Sequence, residues 1–388
     1  MLPQDHIILL SAKIHPSAEE IEALDAQVTL VEEWDAVVRN LIERGVGPLF
    51  YAKLPKLTNS KLIPDISKDQ LKQAYYRTLS RGMVLQDVFR KAVSVLKANN
   101  IDLIVVKGAY LSEKLYGDIA LRQFSDIDLL IREEDGEKAQ SALKEAGFRS
   151  KDDTTHEFIR KNIGFEHYPQ LIYRGGAVEL HISLNRPGES YQLLPESVWI
   201  HSETVQIQGT EVRVPDLMDV LIHTIVHLHK HFQDGHIQFT GFNDIVNLLL
   251  QADKINWEEL LDRCRGYNCE EIVFRYLLLT SKYYQIQLPE DVIGRYKSCL
   301  RPEDEELFLK YLSGYKGKHY SVASRFKGIH QLDGIGMKVK YLILMLFPSK
   351  RYMVSSYHLK NTGLYWCYYP YRYWIGLKGL LRMMRKHQ

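Results

Sequence analysis

Asp126 and Asp128 stand two residues apart in the run Asp126-Ile127-Asp128-Leu129-Leu130-Ile131. Residues two apart on a strand share a face. Both carboxylates are therefore expected on one side of the strand, with Ile127, Leu129 and Ile131 entering the core on the other. Two acids side by side at the start of a buried strand repel each other unless a cation lies between them, and hard oxygen ligands favour Mg²⁺ or Mn²⁺. A strand end that merely faces water would carry the same pair, so a third group is needed to decide. The run Ala177-Val178-Glu179-Leu180-His181-Ile182-Ser183 supplies one. Val178, Leu180 and Ile182 point one way; Glu179, His181 and Ser183 point the other. A buried carboxylate without compensation is costly. If the two strands are neighbours, Glu179 completes a three-carboxylate cage for two metals. Two ions roughly 3.5–4 Å apart would activate an attacking oxygen and stabilise a leaving one in phosphoryl-type transfer.

Upstream, Lys107-Gly108 follows the apolar run Ile101–Val106 and precedes a short helical stretch. Such a turn offers backbone N–H groups to phosphate oxygens, although ordinary strand-to-helix turns use Gly as well. Arg122, four residues before Asp126, is suited to clamp a triphosphate; an isolated Arg is equally a surface residue.

The string KGAYLSEKLYGDIALRQFSDIDLLI, followed some fifty residues later by VELHISL, resembles the polymerase-β-type nucleotidyltransferase superfamily. More narrowly it is similar to a poorly characterised bacterial branch that keeps Lys-Gly, an Arg and Ser-Asp-Ile-Asp, then a Glu-Leu-His strand. The resemblance implies Asp126, Asp128 and Glu179 as catalytic metal ligands. It also implies Gly108 in the phosphate loop, with Lys107 and Arg122 as phosphate contacts. It extends weakly into Asp216–Leu250, where that branch carries a His-bearing helix and then an Asp-led helix. The superfamily's usual Gly-Ser turn is Gly108-Ala109 here, and residues 109–125 intervene before the first acid. Ser112 or Ser125 is left to replace the missing hydroxyl. Lys107, Gly108, Arg122, Ser125 and His181 form the expected nucleotide-binding set.

The segment LIHTIVHLHKHF places His223, His227 and His231 four residues apart, on one helix face, with His229 elsewhere. That spacing suits a metal, a substrate contact or a packed polar face, and Asp244 could hydrogen-bond one of these rings and fix its tautomer. From Gly334 to Gln388 the chain has no Asp or Glu and ten Lys or Arg. The rest carries −8, the +2 of the whole chain less those ten. The tail also holds Tyr365, Trp366, Tyr368, Tyr369, Tyr371, Tyr373 and Trp374. Aromatics with cations can lie on an anionic membrane surface, stack on nucleic-acid bases, or dock on the body of the protein with Lys and Arg stems snorkelling.

The elements that must position these groups follow from periodicity. Residues 18 to 56 and about Lys68 to Ala98 read as helices, a cap without chemistry of its own. Ile101–Val106 and Asp126–Ile131 read as strands, Ala109–Tyr116 and Glu133–Ala146 as helices. His156–Lys161, Glu166–Tyr173 and Ala177–Ser183 read as further strands. Helical period returns at Asp216–His231, Phe242–Gln251, Trp257–Arg265 and Ile272–Tyr284, with further helices to about Phe347. This pattern predicts an α+β class: a small nucleotidyltransferase-like mixed sheet with packed helices, flanked by N-terminal and C-terminal helical regions. The expected divisions are 1–98, a catalytic 99–213, a helical 214–333 and a basic aromatic 334–388.

With 388 residues, 45% hydrophobic and 25% charged, the chain is neither disordered nor collagen-like. Four cysteines cannot build a disulfide framework, and a zinc site is not expected from Cys264 and Cys269 without a second pair. No signal peptide and no run of about 18 apolar residues is read, so a cytoplasmic protein that is not integral to a membrane is expected. The expected activity is transfer of a nucleotidyl group from an NTP, with Mg²⁺ or Mn²⁺, to a hydroxyl or phosphate of an acceptor, with Glu179 doubling as general base. The acceptor is a small molecule, a peptide or protein, or a nucleic acid. The same cage would also serve a nucleotide-activated donor whose sugar or other group passes to a phosphorylated acceptor. A non-catalytic nucleotide-binding adaptor is the third reading.

Overall fold

The computed structural model describes all residues except 151–153, 163, 187–188, 234–238, 315–328, 330–331, 333, 358, 360 and 385–388. Its centre is a seven-stranded mixed sheet: β1 (Leu103–Val106), β2 (Asp126–Ile131), β3 (Arg149–Ser150), β4 (Leu171–Tyr173), β5 (Gly176–His181), β6 (Glu203–Ile207) and β7 (Thr210–Val214). The spatial order is β3-β4-β5-β2-β1-β7-β6. β2 pairs antiparallel with β1 and parallel with β5, so β2 and β5 are central neighbours. The α+β class expected from the sequence is the one observed.

One face of the sheet is covered by the long helix Asp65–Ala98. It buries Leu85, Val88, Phe89, Ala92, Val93 and Leu96, the three- and four-residue spacing of an apolar stripe. These side chains pack on Ile127, Leu129 and Ile131 of β2 and Val178 and Leu180 of β5. Leu130 faces the other way, into a second core. That core joins the N-terminal helices Pro3–Ser11, Ala18–Val28, Trp34–Glu43 and Gly47–Lys53 to Leu217–Gln233, Phe239–Leu249 and Glu270–Tyr284. The joint is specific. Asn247 donates to the Ala12 carbonyl at 2.9 Å and accepts from the Ile14 N–H at 2.8 Å. Asn40 donates to the Leu312 carbonyl at 3.2 Å.

Three expectations change. His156–Lys161 lies within a helix, Thr154–Asn162, braced by the Glu157–Lys161 pair one turn apart. Phe158 packs on Tyr341 of the helix Gly334–Leu346, ring centroids 6.4 Å apart. The expected strand Glu166–Tyr173 is reduced to β4, with His167 bridging to His181 ahead of it. The hairpin β6–β7 was not foreseen; Gln208 and Gly209, at φ +52° and +70°, turn it, as a two-residue turn with positive φ requires.

In the C-terminal segment, Tyr369 donates to the Pro348 carbonyl at 2.6 Å and Arg372 to that of Met345 at 3.1 Å. Trp366, Tyr371 and Trp374 stay exposed. Lys360, Arg385 and Lys386 of the basic run lie outside the described residues. No helix among the described residues is long and apolar enough to cross a membrane.

Gly176 opens β5 against the long helix. A Cβ there would meet Val88 Cγ2 at 2.6 Å and Leu85 Cδ2 at 3.3 Å. Gly176→Ala is therefore expected to cost about 1–3 kcal/mol, the usual range for overpacking a core. Urea unfolding would show it as a lower midpoint at unchanged slope.

Candidate active site

The parallel pairing of β2 with β5 sets Asp128 directly opposite Glu179 and Asp126 opposite Ala177. The alternation read from sequence holds on both strands: the apolar residues enter the core beneath the long helix, and the acids face a cavity of about 900 Å³. Single ligand atoms from Asp128, Glu179 and His181 lie within 4.8 Å of one another.

Asp128 is buried and already partnered. Lys107 Nζ donates to its Oδ1 at 3.3 Å, and His181 Nε2 lies 2.9 Å from the same oxygen. Burial alone would raise its pKa, but Lys107 and His181 outweigh burial and hold the carboxyl far below the usual range. Asp126 behaves in the opposite way. Burial and then the neighbouring charges of Asp128 and Glu179 push it from 3.8 up to about 6, against the opposing pull of Lys107 and the Ser125 side chain. Glu179 accepts from Gln170 Nε2 at 3.2 Å, and His181 Nε2 lies 3.6 Å away. Burial opposes ionisation of Glu179, yet His181 and His167 lower its carboxyl overall. Part of the cation expected between the acids is thus supplied by side chains, and Asp126 is the acid left uncompensated.

The remaining expected residues fall around this centre. Lys107 sits at φ +57°, ψ −126°, a conformation that costs a non-glycine residue about 1–3 kcal/mol. It opens the short helix Gly108–Lys114. At Gly108 a Cβ would meet Phe124 Cβ at 2.8 Å and Arg122 Nη1 at 3.1 Å, so only glycine lets Phe124 and Arg122 pack this closely on the backbone. Ser125 lines the cavity, and its carbonyl accepts from Arg81 Nη2 at 2.7 Å. Arg122 is not a free clamp. Its Nε and Nη2 donate to both carboxylate oxygens of Asp244 at 2.8 and 2.7 Å. Asp244 also accepts from the Tyr116 hydroxyl at 2.9 Å. Asp244 therefore anchors an arginine, where the sequence had suggested a histidine.

His227 and His231 line the cavity with their Nε2 atoms 2.9 Å apart, while His223 lies deeper, its Nε2 without a hydrogen-bond partner. Burial drives His223 down to about 3 and His227 well below its ordinary value, with Lys107 adding to both. Both rings are neutral at physiological pH.

Several cavity residues carried no signal in the sequence. Glu166 is ion-paired to Lys230 at 2.5 Å. Burial raises its carboxyl, but Lys230, His181 and Lys107 bring it down to about 2. His167 comes from the loop before β4. Arg44, Arg77, Thr78 and Arg81 come from the N-terminal helices, which the sequence reading had left without chemistry. A pair at positions 77 and 81, one turn apart, was the one hint available there.

The donor set fits a divalent cation. Two carboxylates and the His181 imidazole make up the set, and burial followed by the neighbouring charges of Asp128 and Glu179 raises the pKa of Asp126, as a cluster short of a counter-ion would.

The family described as "Uncharacterised nucleotidyltransferase" matches residues 31–285, about two thirds of the chain. No curated protein matches. Among solved structures, the solution structure of the antibiotic-resistance factor ANT(2'')-Ia is 12% identical, covering 52% of this chain and 97% of its own, with a TM-score of 0.33. An antigenic nucleotidyltransferase-like protein from Paracoccidioides brasiliensis is 17% identical, covering 54% and 97%, with a TM-score of 0.32.

A carboxyl whose pKa is raised on folding opposes folding once it ionises. The cost is absent below 3.8, grows as pH rises and is complete above about 6. In metal-free protein, Asp126→Asn is therefore expected to melt at higher temperature than wild type near neutral pH, the gap closing as pH falls toward 4. A gap that ignored pH would contradict this reading.

Proposed function

We infer the reaction from the family to which this chain belongs, the uncharacterised nucleotidyltransferases: it transfers a nucleotidyl group from an NTP to a hydroxyl or phosphate on an acceptor. One observation carries the reading, the in-register placement of Asp128 and Glu179 on adjacent parallel strands with Asp126 two residues before Asp128. Asp126, Asp128 and Glu179 would hold Mg²⁺ or Mn²⁺, with His181 at the edge of the set. Bound there, the metal neutralises phosphate charge and polarises the phosphorus under attack.

The chain's own groups do the rest. Lys107, Gly108 and Arg122 line the cavity beside the carboxylates, where the phosphates of the donor would sit. Ser125, hydrogen-bonded to Asp126, holds the first acid in place. The acceptor oxygen attacks the α-phosphorus, the bond to the bridging oxygen breaks, and pyrophosphate leaves. Glu179, ionised at neutral pH, takes the proton that the acceptor oxygen releases. A volume of about 900 Å³ lies at the upper end of small-ligand pockets and accommodates a donor and a compact acceptor together.

The test is incubation of the full chain with each NTP, Mg²⁺ or Mn²⁺ and cell extract, followed by mass spectrometry of whatever gains mass. A nucleotidyl increment is expected with wild type and a loss of about 10³-fold or more with Asp128→Asn, which removes charge at an atom close to the reaction. A sugar increment would instead support the nucleotide-activated donor. Equal turnover by Asp128→Asn would refute the site.

A further inference from the structure

Among the described residues, the C-terminal helices Gly334–Leu346 and Tyr368–Met384 lie outside the lining of the cavity. The first of them has two unlike faces. Met337, Tyr341 and Leu344 turn inward, to a small core with Phe158 and Leu332. Ile335, Val339, Ile343 and Leu346 follow one another at steps of four, four and three residues, the spacing of a single helical stripe. All four are between 46% and 81% exposed. At about 100° per residue, Lys338 and Lys340 fall roughly a quarter turn to either side of that stripe.

The second helix is anchored where the first ends. Tyr373 donates to the Leu346 carbonyl at 3.0 Å, beside the contacts of Tyr369 with Pro348 and of Arg372 with Met345. These three anchors share one helix face. Tyr371, Trp374 and Ile375 lie on the opposite face and are exposed. The pair thus shows water two sets of large apolar side chains, more than a monomer surface ordinarily carries in one place.

Charge decides what covers them. Residues 334–388 hold ten Lys or Arg and no Asp or Glu, so the partner is anionic. A nucleic acid meets cations and stacks on flat rings; it has no use for a row of Ile, Val and Leu. A second copy would bring the same positive segment against this one. A lipid surface offers anionic headgroups above an apolar interior, and a lysine-flanked aliphatic stripe is the form of helix that lies in that plane. Exposed Trp and Tyr belong to the same boundary. No helix among the described residues is long and apolar enough to cross it. We propose that this helical pair docks the protein on an anionic lipid membrane, with Ile335, Val339, Ile343 and Leu346 entering the interface and the cations of the segment meeting the headgroups.

Co-sedimentation of the full chain with vesicles tests this without nucleotide or metal, so it stands or falls apart from the transfer assay. The vesicles are phosphatidylcholine alone, or equal parts of phosphatidylcholine and phosphatidylglycerol. Wild type is expected on the anionic vesicles only, with binding that weakens as salt rises. Val339→Glu combined with Ile343→Glu puts two acids in the row and is expected to lower the partition coefficient by about tenfold or more. Its melting temperature should match wild type, because both positions are exposed. Lys338→Gln combined with Lys340→Gln leaves the row intact and is expected to weaken binding to anionic vesicles by roughly tenfold. No sedimentation of wild type with anionic vesicles, equal binding to neutral ones, or equal binding by the Val339→Glu, Ile343→Glu variant would each overturn the proposal. So would a dimer, or retention of RNA, that this variant abolishes in a protein that ignores vesicles.

Discussion

Like charges brought together by strand pairing are the constraint around which this protein is built. β2 and β5 run parallel, so Asp128 and Glu179 must stand side by side, with Asp126 close behind. The pairing cannot slip, because a shift of one residue would turn Ile127, Leu129, Val178 and Leu180 out of the core. The long helix Asp65–Ala98 locks this register from the other face through Leu85, Val88 and Phe89. The repulsion is absorbed unevenly. Lys107 and His181 settle Asp128, Lys230 settles Glu166, and Asp126 keeps a carboxyl pushed up to about 6.

The cationic side of the cavity is assembled from segments far apart in the chain. Arg44 and Arg81 arrive on N-terminal helices, Lys107 and Arg122 from the turns around β1 and β2, and Lys230 from a helix after the sheet. Asp244, on the helix Phe239–Leu249, fixes Arg122 through a buried two-point contact. The helices before and after the sheet share one core, so they hold two walls of the site at a set distance.

The acid pair and its partner were legible because two-residue alternation on a strand states directly which side chains face together. The same logic failed at His156–Lys161, where the buried side chain of Phe158 suits a helix as well as a strand. The β6–β7 hairpin did carry a signal, the alternating run Glu203–Val214 broken by Gln208-Gly209. The role of Arg122 and the buried state of Arg44 were not legible, because both depend on contacts with residues 239 and 244, more than a hundred positions away. Sequence spacing reports neighbours along an element; it is silent on which arginine a distant aspartate will claim.

The central claim is that Asp126, Asp128 and Glu179 together grip a divalent cation. Titration of Mn²⁺ into the full chain, followed by electron paramagnetic resonance of the free ion, measures it without any substrate. Saturable uptake by wild type, weakened sharply by Glu179→Gln and by Asp128→Asn, is the expected result. Uptake that is absent from wild type, or unchanged by both substitutions, would contradict it.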